Sequence, residues 1–450
     1  MEQWQHAYLH ISKSDIETEL QQCMEEGRNI GNLADEFQRI ACLNLEEPGN
    51  QRQAEALLDK TQKLPMLTSY PNVEPSDLPS IHLNCKRETS GRRKCELPEE
   101  ALYDKAHGGW LGRACGCLLG KPVEGWRRER MWGYLKDANR WPLSHYFSLT
   151  VSDNVKEQYQ LSKDGCFIEN VQFMPEDDDM NYTTAGLAIL KQHGPDFTPH
   201  DVASFWLSRI PILRTFTAER VAYRNFCMMI SPPNSASVRN PYREWIGAQI
   251  RADFFGYVAP GDPGRAADFA WRDACVSHVK NGIYGEMWVA AMVAAAFVTN
   301  DINPIVQTGL AQIPSRSRLH TSICEVIDWH NQGVTYDEAV ERLHERWDEN
   351  TPHGWCHTIS NAMVVAVGLL WGDGNYEKSI CRAVQACFDT DCNGATVGSI
   401  LGVIHGARSL PVTWTQPIHN TMRTGIDGYH VVTISDLARE SVAIVRTISG

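Results

Sequence analysis

The chain has 450 residues, 43% of them hydrophobic, and a formal net charge of −13. A sizeable core is expected, and nucleic acid is excluded as the main partner because a phosphate backbone demands a basic face. Fourteen cysteines are scattered without a CxxC pair, so they read as the reduced thiols of a cytosolic protein. The longest apolar run, Met287 to Val298, is too short to span a bilayer. The N-terminal segment MEQWQHAYLHISKSDIETEL holds no apolar signal core. A soluble, cytoplasmic protein with no membrane partner is expected, and oligomeric state leaves no mark in the sequence.

Residues 1 to about 63 have helical character. Ser14-Asp15-Ile16-Glu17 offers a cap before an amphipathic run to Met24, and Asn32 to Cys42 and Gln51 to Leu64 carry apolar residues at three-four spacing. From Pro65 to about Glu99 the pattern dissolves among Pro71, Pro75 and Pro79, followed by Lys86-Arg87 and Arg92-Arg93-Lys94. This reads as a linker or surface wrap. Residues 1–95 are therefore expected to form an N-terminal helical appendage and linker, and residues 96–450 the main domain. In the latter, Ala/Gly-rich helical patterns recur at 100–120, 180–193, 265–298, 319–331, 335–349, 357–371, 376–388 and 393–408. Strand signals are short, as in Tyr429 to Ile434, so an all-α fold is expected.

Two of these helices carry a glycine at every fourth position: Gly108, Gly112, Gly116 and Gly120 in one, Gly394, Gly398, Gly402 and Gly406 in the other. Each glycine costs a helix roughly 1 kcal/mol against alanine, and the stripe lies along one face, where it admits close backbone approach. Tight packing alone accounts for the stripes. A second reading makes the two helices central neighbours that bring their ends to one site.

The chemistry concentrates in two acidic clusters, Glu176-Asp177-Asp178-Asp179 and Asp389-Thr390-Asp391, each opening a small-residue helix. First-turn acids suit a helix N-terminus, but one cap needs one acid, not four. Packed carboxylates repel one another and lose hydration, a cost that a hard divalent cation removes. Oxygen ligands favour magnesium, manganese or calcium over zinc. His353 and His357, at i and i+4, also resemble a metal pair, but no glutamate lies between them, so a HExxH site is excluded.

The chain resembles the ADP-ribosylglycohydrolase family, which includes the dinitrogenase-reductase-activating glycohydrolase and the ADP-ribosyl-acceptor hydrolases. The resemblance rests on Gly109-Trp110-Leu111-Gly112-Arg113-Ala114-Cys115-Gly116-Cys117-Leu118-Leu119-Gly120, the acidic run at 176–179, and Asp389-Thr390-Asp391 with its glycine-striped helix, and it covers about residues 100 to 448. It implies an all-α, compact orthogonal helical bundle, a centre of two magnesium ions (manganese the alternative), and hydrolysis of a glycosidic bond to ribose. Asp177 and Asp178 fall on the family's Thr-Asp-Asp motif, and Asp389 and Asp391 on its C-terminal Asp-x-Asp. Glu176 and Asp179 stand where the family has threonines, and Cys392 where a threonine often follows. The expected metal set is therefore Glu176, Asp177, Asp178, Asp389, Asp391 and Cys392. Asp177, Asp178, Asp179 and Glu124 are the candidate catalytic acids and bases. Gly120, His278, Asn281, Gly282, Tyr284, His353 and Trp355 are candidate contacts to base, ribose or diphosphate.

The leading expectation is a magnesium-dependent hydrolase of ADP-ribosylated protein or of small ADP-ribosyl conjugates, of arginine or serine for example. An N-ribosidase for a nucleoside-like metabolite and a non-catalytic ADP-ribose-binding or structural relative are the alternatives. The retained carboxylates argue against the last, since a scaffold gains nothing from buried unpaired acids.

Overall fold

A computed structural model describes residues 10–86, 95–163 and 165–449; Arg87 and the basic run 92–94 lie outside them. The described residues are helices joined by turns and some longer irregular segments, with one antiparallel pair of strands, Thr421–Arg423 and Val431–Thr433. The fold is all-α. No helix among the described residues is long and apolar enough to cross a membrane.

The two glycine helices, Glu99–Gly120 and Thr390–His405, run antiparallel through the centre with their glycines interlocked. A Cβ built on Gly108 would lie 2.2 Å from the Gly402 carbonyl oxygen, on Gly112 2.1 Å from that of Gly398, and on Gly116 1.9 Å from that of Gly394. The approach is mutual: a Cβ on Gly394 would lie 2.3 Å from the Gly116 oxygen. In each case the obstacle is backbone, which has no rotamer to yield. The sacrificed helix propensity is thus exchanged for direct backbone contact in a core built from helices Asn281–Ala296, Thr358–Leu370, Tyr376–Gln385 and Ile434–Ser449. The Asn281–Ala296 helix is apolar on every side and buried at every residue, as expected of a helix surrounded by others.

The N-terminal helices Lys13–Glu25, Ala34–Ala41 and Pro48–Thr61 have their own small core of Ile16, Phe37, Ile40, Leu57 and Leu58. They meet the rest of the chain through charge. Arg243 pairs with Glu19 and Glu26 at 2.5 Å each, Lys280 with Glu26 at 2.9 Å, and Arg239 with Asp59 at 2.7 Å. The first helix is capped by Ser12, which exchanges hydrogen bonds with Asp15, rather than by the expected Ser14. The segment beyond Pro65 wraps the surface, pinned by Glu74 to Arg318 at 3.0 Å, and it includes a short helix, Leu78–Asn84, that its prolines hid.

The run at 265–298 is two helices, Pro263–Ala274 and Asn281–Ala296, not one. The first ends at Ala274, and Lys280, with φ of +48°, immediately precedes the second.

Candidate active site

The glycine stripes end where the acids begin. A Cβ on Gly120 would strike the Thr390 carbonyl carbon at 2.2 Å, and the Thr390 hydroxyl donates to the Gly120 carbonyl at 2.9 Å. This lock sets the C-terminus of one helix, with Lys121 and Glu124 beyond it, against the N-terminus of the other, with Asp389 and Asp391. Gly120 therefore serves helix contact, and it does not line the acidic cavity. Just before Asp389 the backbone is strained, for Cys387 and Phe388 have φ of +70° and +59°. Left-handed turns at side chains of this kind persist only where the surroundings enforce them. Here Asn361 accepts from the Asp389 amide at 3.1 Å and from Asn393 at 2.8 Å, and Trp355 donates to the Phe388 carbonyl at 2.7 Å.

The second cluster opens the Asp178–His193 helix, where Asp177 caps by accepting from the Asp179 amide at 2.9 Å. The two clusters meet in one cavity of about 310 Å³, at the lower end of the range for ligand sites. Its acids are Glu124, Glu176, Asp177, Asp178, Glu219, Asp389 and Asp391, and Trp245, Trp355, Phe216 and Cys392 complete the walls.

Each acid has a distinct environment. Lys121 donates to Asp177 at 2.6 Å; burial opposes the charged form of Asp177, but Lys121 and the Asp179 amide overcome it and hold the carboxyl below the usual range. Burial and then Asp177 raise Asp178 well above that range, and burial and Asp391 do the same to Asp389. Burial and Asp177 push Asp391 up to about 6. Glu124 is exposed at the mouth, and repulsion by Asp391 raises it. Glu176 stands at the rim, paired with Arg214 at 2.8 Å.

Asp179 is not a wall of the cavity. Arg113, fully buried, donates to its Oδ1 at 2.9 Å and to Asp253 at 2.8 Å. The Oδ1 of Asp179 is thus anchored by Arg113 at the back of the site. Its other oxygen, Oδ2, and Oδ1 of Asp391 are buried without hydrogen-bond partners. Ligand atoms of Cys117, Asp177, Asp179 and Asp391 lie within 4.8 Å of one another, and so do those of Asp389, Asp391 and Cys392. Unpartnered buried oxygens facing several carboxylates and one ammonium are the environment that a divalent cation completes.

The remaining substrate candidates divide. Trp355 lines the cavity. His278, Asn281, Gly282 and Tyr284 do not. His278 is fully buried against Ser277, at 2.8 Å. Asn281 bonds to Glu74 at 2.9 Å and Glu244 at 2.8 Å, and the Tyr284 hydroxyl bonds to the Pro75 carbonyl. Gly282 packs against the Arg243 carbonyl. His353 also lies outside the cavity: its Nδ1 accepts from Trp245 at 3.2 Å and its Nε2 meets Glu25 at 3.1 Å. The Nδ1 of His357 accepts from the Ile359 amide at 3.1 Å, so both rings carry their proton on Nε2, toward Glu25. His353 is thereby a partner of Glu25 on the N-terminal helix, whereas the His357 Nε2, 3.7 Å from the same carboxylate, is buried without a hydrogen-bond partner.

Sequence reasoning missed Glu219, Trp245, Phe216 and the anchoring roles of Lys121 and Arg113. Arg113 alone left a signal, a charge inside a glycine-striped apolar helix.

Residues 98–446 match the ADP-ribosylglycohydrolase family. The chain belongs to that family. A solved structure described as an ADP-ribosylglycohydrolase-related protein complex is similar over 78% of this chain and 99% of that one, at 17% identity and a TM-score of 0.49. No curated protein matches the chain. Membership implies glycohydrolase chemistry of the ADP-ribosyl type, and the buried acids are a site that could hold a metal. The N-terminal helices lie outside the part that matches the ADP-ribosylglycohydrolase family.

Proposed function

We propose that the protein hydrolyses the glycosidic bond between ribose C1 of an ADP-ribosyl group and its acceptor, using magnesium held by Asp177, Asp178, Asp389 and Asp391, with Cys392 beside them. The observation that carries this reading is the convergence of the two acidic helix N-termini on one cavity beside two tryptophans. Bound there, a hard divalent cation supplies Lewis-acid polarisation of ribose hydroxyls and activation of water. The protein's own groups do the rest. The C1–N or C1–O bond breaks with positive charge developing at C1, which the surrounding carboxylates stabilise. Glu124, exposed at the mouth and raised by its neighbours, is placed to exchange a proton with water or the leaving acceptor. Trp245 and Trp355 restrict water and offer faces to the sugar or base.

A second reading, an N-ribosidase for a nucleoside-like metabolite, is favoured by one feature. Both cations of the cavity, Lys121 and Arg214, are already paired with acids. Mass spectrometry of products from ADP-ribosyl-arginine, ADP-ribosyl-serine and a nucleoside panel, each with magnesium or EDTA, separates the two. Magnesium-dependent release of ADP-ribose is expected, and it should vanish in Asp391→Ala while the helical circular dichroism persists. Ribose released from nucleosides alone would transfer the assignment to the second reading, and full turnover by Asp391→Ala would remove the metal centre from the account.

A further inference from the structure

An ADP-ribosyl group carries a diphosphate, and the acidic cavity is a poor host for it: its cations are paired and its carboxylates repel anions. A second cavity, of about 340 Å³, lies beyond Phe216, Thr217 and Trp245, which line both. Its charge is reversed. Arg220, Arg224 and Arg239 line it. Arg239 is paired with Asp59 and Glu55, at 2.7 and 3.0 Å. Among the described residues, neither Arg220 nor Arg224 forms an ion pair. The Arg220 guanidinium reaches the Thr215 carbonyl and lies over the Phe216 ring at 5.6 Å, with its Nε buried and unpartnered. Arg224 is held by Asn225, at 3.0 Å, and the Val238 carbonyl, at 3.1 Å. One acid, Asp15, also lines the cavity, but its two oxygens are taken by the Tyr242 hydroxyl and by the cap at Ser12. Two partly buried guanidiniums with no acid at salt-bridge distance, the nearby Glu55 and Asp59 being engaged by Arg239, leave room for an anion to complete them. Burial, and then the neighbouring Arg239, pushes Arg224 down to about 10 against the opposing pull of Glu55 and Asp59.

We infer that this second cavity is an anion subsite in which Arg220 and Arg224 hold a phosphate or carboxylate of the substrate while the ribosyl end occupies the acidic cavity. The inference rests on the hydrolase reading for what fills the first cavity, but not for the anion itself. The opposite wall comes from His10, Ile11, Ser12, Asp15 and Leu58, all in the N-terminal part that precedes the family match at residue 98. The N-terminal helices therefore close a subsite that the family-matched part would leave open, which assigns them a role in substrate selection. Phe216, 49% exposed, is part of the shared wall.

Isothermal titration of the full-length protein with inorganic phosphate, and separately with succinate, tests this without turnover. The wild type should bind one of them with an affinity that falls as salt rises. Arg220→Gln and Arg224→Gln should each weaken it about tenfold or more, with Arg220→Lys and Arg224→Lys losing less. Unchanged melting temperatures would show that the variants are folded. Phosphate binding alone points to the diphosphate, and succinate binding alone to a carboxylate on the acceptor; either supports the subsite. No binding of either probe by the wild type, or equal binding by both glutamine variants, overturns it. Such a result leaves the hydrolase reading standing, and a failure to cleave any ADP-ribosyl substrate leaves the anion measurement intact.

Discussion

Replacing Gly116 with alanine opposes two effects. In isolation the change should stabilise a 22-residue helix by roughly 1 kcal/mol, because alanine is the better helix former. In the fold, the new methyl group would lie 1.9 Å from the Gly394 oxygen and 2.6 Å from its carbonyl carbon. Ordinary contact then requires the helices to part by roughly 1.5 Å. Overpacking costs about 1–3 kcal/mol where side chains can shift, and here both obstacles are backbone, so the upper end applies and the net loss is about 2 kcal/mol or more. For a domain of this size that lowers the melting temperature by roughly 3 °C. The same parting moves Lys121 and Glu124 away from Asp389 and Asp391, and a displacement of about 1 Å at a reacting centre costs on the order of 100-fold in rate. Calorimetric melting and kcat/KM on the identified substrate measure the two effects. Gly49→Ala is the control, since its Cβ meets nothing closer than 3.9 Å, and it should leave both unchanged or raise the melting temperature slightly. A Gly116→Ala protein as stable and active as the wild type would refute the claim that these helices are locked by backbone contact.

Lys121→Met leaves the buried Asp177 carboxylate without its ammonium partner, at a cost of about 3 kcal/mol. In EDTA the variant should melt several degrees below wild type, with the gap narrowing in magnesium, and equal melting in EDTA would contradict the pairing. Because burial and neighbouring carboxylates raise Asp178 and Asp389 in the metal-free protein, magnesium binding should be accompanied by proton release. Titrations in buffers of different ionisation enthalpy read this directly, and apparent affinity should rise with pH; pH-independent binding without proton release is the contrary result. Burial opposes the charge on Glu25, yet the His353 hydrogen bond and nearby positive charge hold its carboxyl down at about 2. A depressed carboxyl contributes stability that is fully present above its unfolded value near 4.5 and is lost as pH falls through about 2. Glu25→Gln should therefore flatten the decline in stability over that window, as followed by melting between pH 5 and pH 2, and an unaltered acid limb would show that the staple contributes nothing.

Much was legible locally. Apolar spacing and small residues marked the helices, because a helix is specified by neighbours within a turn or two, and the paired glycine stripes named the two helices that meet. The acidic runs at 176–179 and 389–391 announced themselves because several carboxylates at a helix start have no purely structural use. What the sequence could not rank was which members of those runs face the cavity. Asp179 differs from Asp178 only in its position around the helix, and that position turns it onto Arg113, 66 residues earlier in the chain. Asn281 has the chemistry of a ligand contact, but Glu74 and Glu244, packed against it, satisfy that chemistry inside the protein, and His278 is buried against Ser277. Glu219, Trp245, Arg220 and Arg224 sit in unremarkable segments and gain their roles from elements far away in the chain, the N-terminal helices among them. Periodicity decides what an element is, whereas the register between elements decides which of its faces meets substrate. Between the helices that carry Lys121 and Asp391, the close approach of the glycine stripes fixes that register.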